Sequence, residues 1–183
     1  MRPLRPLKFA ILSLVFFSPL DAPEGAGAMS VQTCFTPARS CADRILRAIA
    51  QAKKEVLVAV YAFTNEEIAQ ALVQAYRRGV TVQVVLDREF DQENAHSKGA
   101  FLEKQGIKLR RVSGLKHQTT DRGNGLMHQK FAIMDRSVVL TGSYNWTAAA
   151  EKFNHENLLL FHDAGPLAED YRMEFFRLWE KKP

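Results

Sequence analysis

A chain of 183 residues, 46% apolar and 25% charged, is long enough for one well-cored domain and too short for two of ordinary size. That composition excludes a disordered polymer, and the net charge of +5 favours a polyanionic partner, nucleic acid or acidic lipid headgroups, over a cationic one.

The N-terminus reads as an export signal. Arg2, Arg5 and Lys8 precede the apolar run FAILSLVFF, and Ala26-Gly27-Ala28 fits a small-residue cleavage site before Met29. The run falls short of the ~20 apolar residues of a bilayer span, with an uncleaved anchor as the rival reading. Removing residues 1–28 takes away three basic and two acidic side chains, so the mature domain, 29–183, keeps +4. No later stretch is apolar enough to span a bilayer, so no stable membrane association is expected after signal removal. The periplasm or the medium is the expected destination.

VQTCF reads as a short first strand. Cys34 and Cys41 follow closely inside the mature chain, and in an exported protein two such thiols are expected to pair. The short loop they would close is worth ~2–3 kcal/mol in the chain-entropy model. Two unpaired thiols are the alternative, and two cysteines do not furnish a four-ligand zinc site.

Ser40 is the expected N-cap of a helix through CADRILRAIAQAKK, with Ile45, Leu46, Ile49 and Ala52 on one face. EVLVAVYAF is nearly all apolar and suits a central strand covered on both faces. Thr64 or Asn65 caps EEIAQALVQAYRRG, with acids in its first turn, arginines in its last and Gly79 as the stop. VTVQVVLD and IKLRRV read as strands around a shorter helix, SKGAFLEKQG. The alternation predicts a single-domain α/β fold, a mostly parallel mixed sheet flanked by helices. SGLKHQTTDRGNG, 113–125, is a polar, Gly-rich loop. Then come LMHQKFAIMD, SVVLTGS, a short helix near WTAAAEKF, the strand ENLLLFH and an amphipathic helix, AEDYRMEFFRLWEKK, with Tyr171, Phe175, Leu178 and Trp179 near one face.

On a strand His128 and Lys130 share a face, ~7 Å apart. Asp135 has the opposite parity and sits at the strand end, where it is expected to hold the turn. An ammonium two residues from His128 opposes a divalent cation, so no metal site is expected. Either Lys130 stands where a metal would and faces an anion while His128 does proton or nucleophile chemistry, or the two are an ordinary sheet rim. Gly142 allows close backbone approach, and Ser143 and Asn145 offer short donors, as phosphate sites use and as ordinary turns use.

H-Q-K-F-A-I-M-D followed by G-S-Y-N resembles the H-x-K-x4-D and G-S-x-N signature of the phospholipase D superfamily. VYAFTNEEIAQAL, RRGVTVQVVLD and NHENLLLF extend the similarity over most of the mature chain. In length and in its single motif the chain is similar to the small, exported, EDTA-resistant nuclease branch. The resemblance implies a phosphodiesterase without metal or cofactor. By it His128 is the nucleophile that forms a phosphohistidine, Lys130 binds phosphate oxygens, Ser143 and Asn145 help hold the phosphate, and Glu156 orients the nucleophile. A second histidine of the same kind must protonate the leaving oxygen. The chain has one H-x-K, and His96, His117, His155 and His162 lie in no such motif, so a homodimer sharing one site is expected. DNA, with RNA as a further substrate, is the expected partner, and Lys116 and Arg122 are candidate phosphate contacts in the loop. The rival functions are a lipid hydrolase acting on phosphatidyl substrates such as cardiolipin and an inactive phosphate- or nucleic-acid-binding module.

Overall fold

The computed structural model describes residues 28–115 and 125–181. Apart from Ala28, the segment read as an export signal lies outside the described residues, and so do Lys116 and Arg122.

The elements in chain order are β1 (Ser30–Thr36), α1 (Ala42–Gln51), β2 (Glu55–Val60), α2 (Glu66–Arg77), β3 (Thr81–Asp87), α3 (Arg88–Glu93), α4 (Gly99–Lys104), β4 (Lys108–Val112), β5 (Lys130–Met134), β6 (Val138–Gly142), α5 (Ala148–Lys152), β7 (Glu156–His162) and α6 (Gly165–Trp179). All seven strands join one sheet in the order β1-β7-β6-β5-β2-β3-β4. The sheet is mixed and flanked by helices, as expected, but the proportion needs correcting. Only β2–β3 and β3–β4 run parallel, while β1–β7, β7–β6, β6–β5 and β5–β2 are antiparallel. The cause is local. Helical crossovers link β2, β3 and β4, whereas β5 and β6 are joined by a three-residue turn that forces reversal.

Strand parity sorts the core into two layers. Val56, Val58 and Val60 of β2 face Ile45 and Ile49 of α1 and Ile68 and Leu72 of α2. Leu57 and Ala59 point the other way, into a second core closed by Ala168, Phe175 and Leu178 of α6. This double coverage is why β2 reads as an unbroken apolar run. Arg172 of α6 is buried, and its Nε donates to Glu55 at 2.9 Å, fixing the helix against the start of β2.

The helix ends follow side-chain chemistry. The Asn65 side chain accepts from the Ile68 N–H, and Gly79 leaves α2 at φ +90°. Cys41, not Ser40, occupies the cap position of α1; Ser40 Oγ accepts from Asp43 at 3.4 Å, and the Glu151 carboxylate accepts from Ala42 at 3.2 Å. Cys34 and Cys41 form the expected disulfide, fully buried. The helix α3 has no counterpart among the sequence expectations. It starts because Asp87, the last residue of β3, accepts from the Phe90 N–H.

Asp135 and Arg136 both have positive φ, 51° and 58°, in the three-residue connection 135–137 between β5 and β6, which the Ser137 N–H closes by donating to the Met134 carbonyl at 3.1 Å. The Asp135 carboxylate accepts from the N–H groups of Lys53, Lys54 and Glu55 at 2.8, 2.7 and 3.0 Å. It thereby clamps the β5–β6 turn to the start of β2. Partial burial pushes its pKa up, but the three backbone donors pull further, and the net shift is downward. A depressed carboxylate stabilises the fold above its unfolded pKa, and that contribution is lost as pH falls through the folded value. Asp135→Asn is therefore expected to cost about 1–3 kcal/mol in urea unfolding at pH 7. The deficit should start to shrink as pH falls below ~4, where the unfolded chain takes up the proton, and vanish only below the depressed folded value. Unchanged stability with abolished chemistry would place Asp135 in the reaction instead.

Candidate active site

The start of β5, the ends of β2, β3 and β6 and the start of β7 lie at one end of the sheet. Carboxyl ends of parallel strands gather there, the usual location of ligands in open α/β sheets.

His128 lies just upstream of β5 and is exposed. The backbone is held on both sides of it. The Met127 N–H donates to the buried Asp87 carboxylate at 2.8 Å, and the Tyr61 N–H donates to the Gln129 carbonyl at 2.8 Å. The imidazole packs on the Tyr61 ring with centroids 4.7 Å apart. Half-buried Lys130 folds back beside it. Its Nζ donates to the His128 carbonyl at 2.8 Å and stands 5.1 Å from the Tyr61 ring centre.

Two strands away Glu156 opens β7. It accepts from Ser143 Oγ at 2.5 Å and from Asn154 Nδ2 at 3.1 Å. Ser143 Oγ in turn accepts from the Asn157 N–H at 3.0 Å. Gly142 makes this junction possible. Any Cβ there would lie 2.2 Å from the Asn157 carbonyl, which accepts from both Ser143 and Tyr144. Asn145 Oδ1 accepts from the Ala62 N–H at 3.3 Å, joining the G-S-Y-N turn to the end of β2.

His128, Lys130, Ser143, Asn145 and Glu156 thus come to one sheet end. Asp135 is at the opposite end of β5, roughly 16 Å away at the strand rise, in keeping with its clamp. One expectation is not met within the chain: Glu156 makes no hydrogen bond to His128. The intervening strand β6 sets them roughly 10 Å apart, and both Glu156 oxygens are engaged elsewhere. Its influence falls on Lys130 instead, through charge. Burial lowers the Lys130 pKa and Glu156 opposes that shift. The His128 pKa is lowered by partial burial and by the Lys130 ammonium, with Asp87 opposing. The imidazole is therefore neutral at pH 7 beside a cation, fit to attack an electrophile whose oxygens the cation holds.

Tyr61 and Asp87 are the site residues that motif reading missed. Asp87 had a signal, a lone acid ending the apolar strand VTVQVVLD. Open clefts of about 420 and 450 Å³ flank His128, the first lined by Tyr61, Asp87, Glu89 and Phe90, the second by Met127, Gln129, Arg177 and Lys181. Among the described residues no three His, Cys, Asp or Glu side chains group as a metal-binding set.

Residues 45–179 match the family model described as cardiolipin synthase, PLD-like domain. The chain belongs to the phospholipase D superfamily. It is 34% identical over 165 residues to a mitochondrial cardiolipin hydrolase of Canis lupus familiaris, covering 90% of this chain and 60% of that protein. It thus spans under two thirds of that relative's length. It is 36% identical over 142 residues to a phospholipase D of Rickettsia felis, covering 77% of this chain and 65% of the relative. The crystal structure of Nuc from Salmonella typhimurium, a phospholipase D family member, is 33% identical with a TM-score of 0.72, covering 82% of this chain and 94% of Nuc.

The ammonium beside His128 disfavours its protonation, which fixes the sign of a test. In an NMR titration the His128 imidazole should titrate below the ordinary ~6.5, and Lys130→Met should move it upward. A wild-type value at or above 6.5 would contradict this geometry.

Proposed function

We propose that the protein is a phosphodiesterase that cleaves DNA without a metal ion, with little sequence specificity and with RNA as a further substrate, through a phosphohistidine on His128. The observation that carries the reading is an exposed imidazole at the edge of an open cleft with the Lys130 ammonium folded back beside it. Superfamily membership sets the reaction class. The basic balance suits a polyanion, and the near-complete coverage of Nuc supports a small, single-motif enzyme of this type.

In the proposed reaction Lys130 and the amide of Asn145 bind the non-bridging oxygens. His128 attacks phosphorus, and a protonated histidine gives its proton to the leaving oxygen. Water then cleaves the N–P bond with the histidine roles reversed, and general-acid help of this kind is worth roughly 10²–10⁴ in rate. One chain brings a single H-x-K to the site. A homodimer with a two-fold axis through the cleft supplies the second, so the twin's His128 is the acid. Glu156, two strands from its own His128, then reaches a histidine only across that axis. Export to an oxidising compartment fits the Cys34–Cys41 disulfide.

A lipid substrate is the second reading, favoured by the names of the relatives. It wants an apolar lip. Trp146 cannot supply one because it is buried, whereas Phe153, near Glu156, is 76% exposed.

Plasmid, single-stranded DNA and RNA, each with EDTA, beside cardiolipin and phosphatidylcholine vesicles, separate the two. EDTA-resistant cleavage of nucleic acid is expected, and turnover confined to vesicles would overturn the nuclease reading. His128→Ala should lower the rate at least about 10³-fold. Wild-type/His128→Ala hybrids should be inactive too, and full activity in a strictly monomeric preparation would defeat the shared site.

A further inference from the structure

Tyr61 directly follows β2 and is half-buried. One side of its ring leans on Phe90, centroids 5.3 Å apart, which braces it from the α3 side. The ring also meets His128 at 4.7 Å, tilted by 55°, and the Lys130 ammonium at 5.1 Å. One aromatic ring therefore touches both the nucleophile and the phosphate-binding cation, and it does so with its π system rather than its hydroxyl. Burial first, then the charges of Asp87 and Glu89, raise the phenol pKa, so the ring stays neutral over the working pH range.

We propose that Tyr61 is a positioning residue for phosphoryl transfer: its ring holds the Lys130 ammonium beside His128 and offsets the positive charge that His128 gains on taking up phosphorus. The role rests on the phosphodiesterase reading above. In the step concerned, the lone pair of the neutral imidazole forms an N–P bond. The bond from phosphorus to the leaving oxygen breaks with its electron pair, and that oxygen takes the proton of the general acid. The attacking imidazole keeps its own N–H and becomes a cation. Two like charges, phosphoimidazolium and ammonium, then stand side by side on one segment. The negative face of an aromatic ring attracts both. Within one chain no described carboxylate is hydrogen-bonded to either group, and the Tyr61 ring is the electron-rich group in contact with both.

The contact is electronic, so ring electron density is the variable to change. Tyr61→Phe, and Tyr61 replaced by mono-, di- and trifluorophenylalanine, keep the shape while emptying the π face. Turnover of bis(4-nitrophenyl) phosphate is the readout, because that diester carries no base, sugar or acyl chain. Tyr61→Phe should stay within about 3-fold of wild type, and kcat should then fall with each added fluorine, reaching about 5- to 30-fold with three, at constant Tm. A second measurement follows the Lys130 side-chain protons by NMR, which Tyr61→Leu should shift downfield by removing the ring current. A flat fluorine series with active enzyme would overturn the role of Tyr61 and leave the phosphodiesterase intact. No turnover by wild type would sink the phosphodiesterase reading, while an unmoved Lys130 signal would still refute the contact.

Discussion

The Asp87 carboxylate, 1% exposed, accepts from the Phe90 N–H at 3.0 Å and from the Met127 N–H at 2.8 Å. With these two bonds it ends β3, begins α3 and fixes the backbone one residue before His128. A buried carboxylate without such partners would cost several kcal/mol. The chain therefore has one low-energy way to satisfy it, and that way sets the nucleophile at the rim of the sheet. Phe90, delivered by the same helix start, then braces Tyr61, on which the His128 ring rests. Position and support of the imidazole thus share one origin.

Charge in the site is graded rather than paired off. Lys130 has no carboxylate in hydrogen-bond contact; its Nζ donates to a neutral carbonyl. Glu156 and Asp87 act on it and on His128 only through space. A tight ion pair would have occupied the ammonium and left it a poor ligand for phosphate. Held by a carbonyl and a ring, Lys130 keeps its charge free of a carboxylate partner among the described residues. Elsewhere three arginines are paired closely with carboxylates: Arg172 with Glu55, Arg111 with Asp91 and Glu103, Arg177 with Glu174. The difference separates structural charge from charge kept free for a ligand.

Local signals were legible in the sequence and long-range ones were not. The unbroken apolar run of β2, the Asn65 cap and the Gly79 stop are properties of neighbouring residues, and each stands where pattern places it. The close spacing of Cys34 and Cys41 likewise pointed to their bond. The cap of α1 was legible only in part: Ser40 accepts from Asp43, but Cys41 holds the cap position and the Ala42 N–H goes to Glu151, more than a hundred residues away. Tyr61 looked like one more apolar strand residue, and only the pairing of β2 with β5, Val60 opposite Lys130, brings it under His128. The expectation of a mostly parallel sheet extended the β2–β4 rhythm too far. The tight turn that ends the rhythm puts Asp135 and Arg136 at positive φ with no glycine to announce it.

The spacing of the motif is itself a consequence of the meander β5–β6–β7. Two short strands and a three-residue turn carry the chain from Lys130 to the far end of the sheet and back to Gly142, so Lys130 and the G-S-Y-N turn must share an end. Register decides which way Lys130 points. Ala132 and Met134 share its parity and lie in the core under α1 and α2, whereas Phe131 and Ile133 lie under α6. A slip of one residue would exchange these sets and turn the ammonium to the opposite face. The three bonds that Asp135 accepts from Lys53, Lys54 and Glu55, at the entry to β2, oppose that slip at the end remote from the chemistry. An aspartate that touches no substrate thus belongs to the same signature as the histidine and the lysine, because the direction of their side chains depends on the turn it holds.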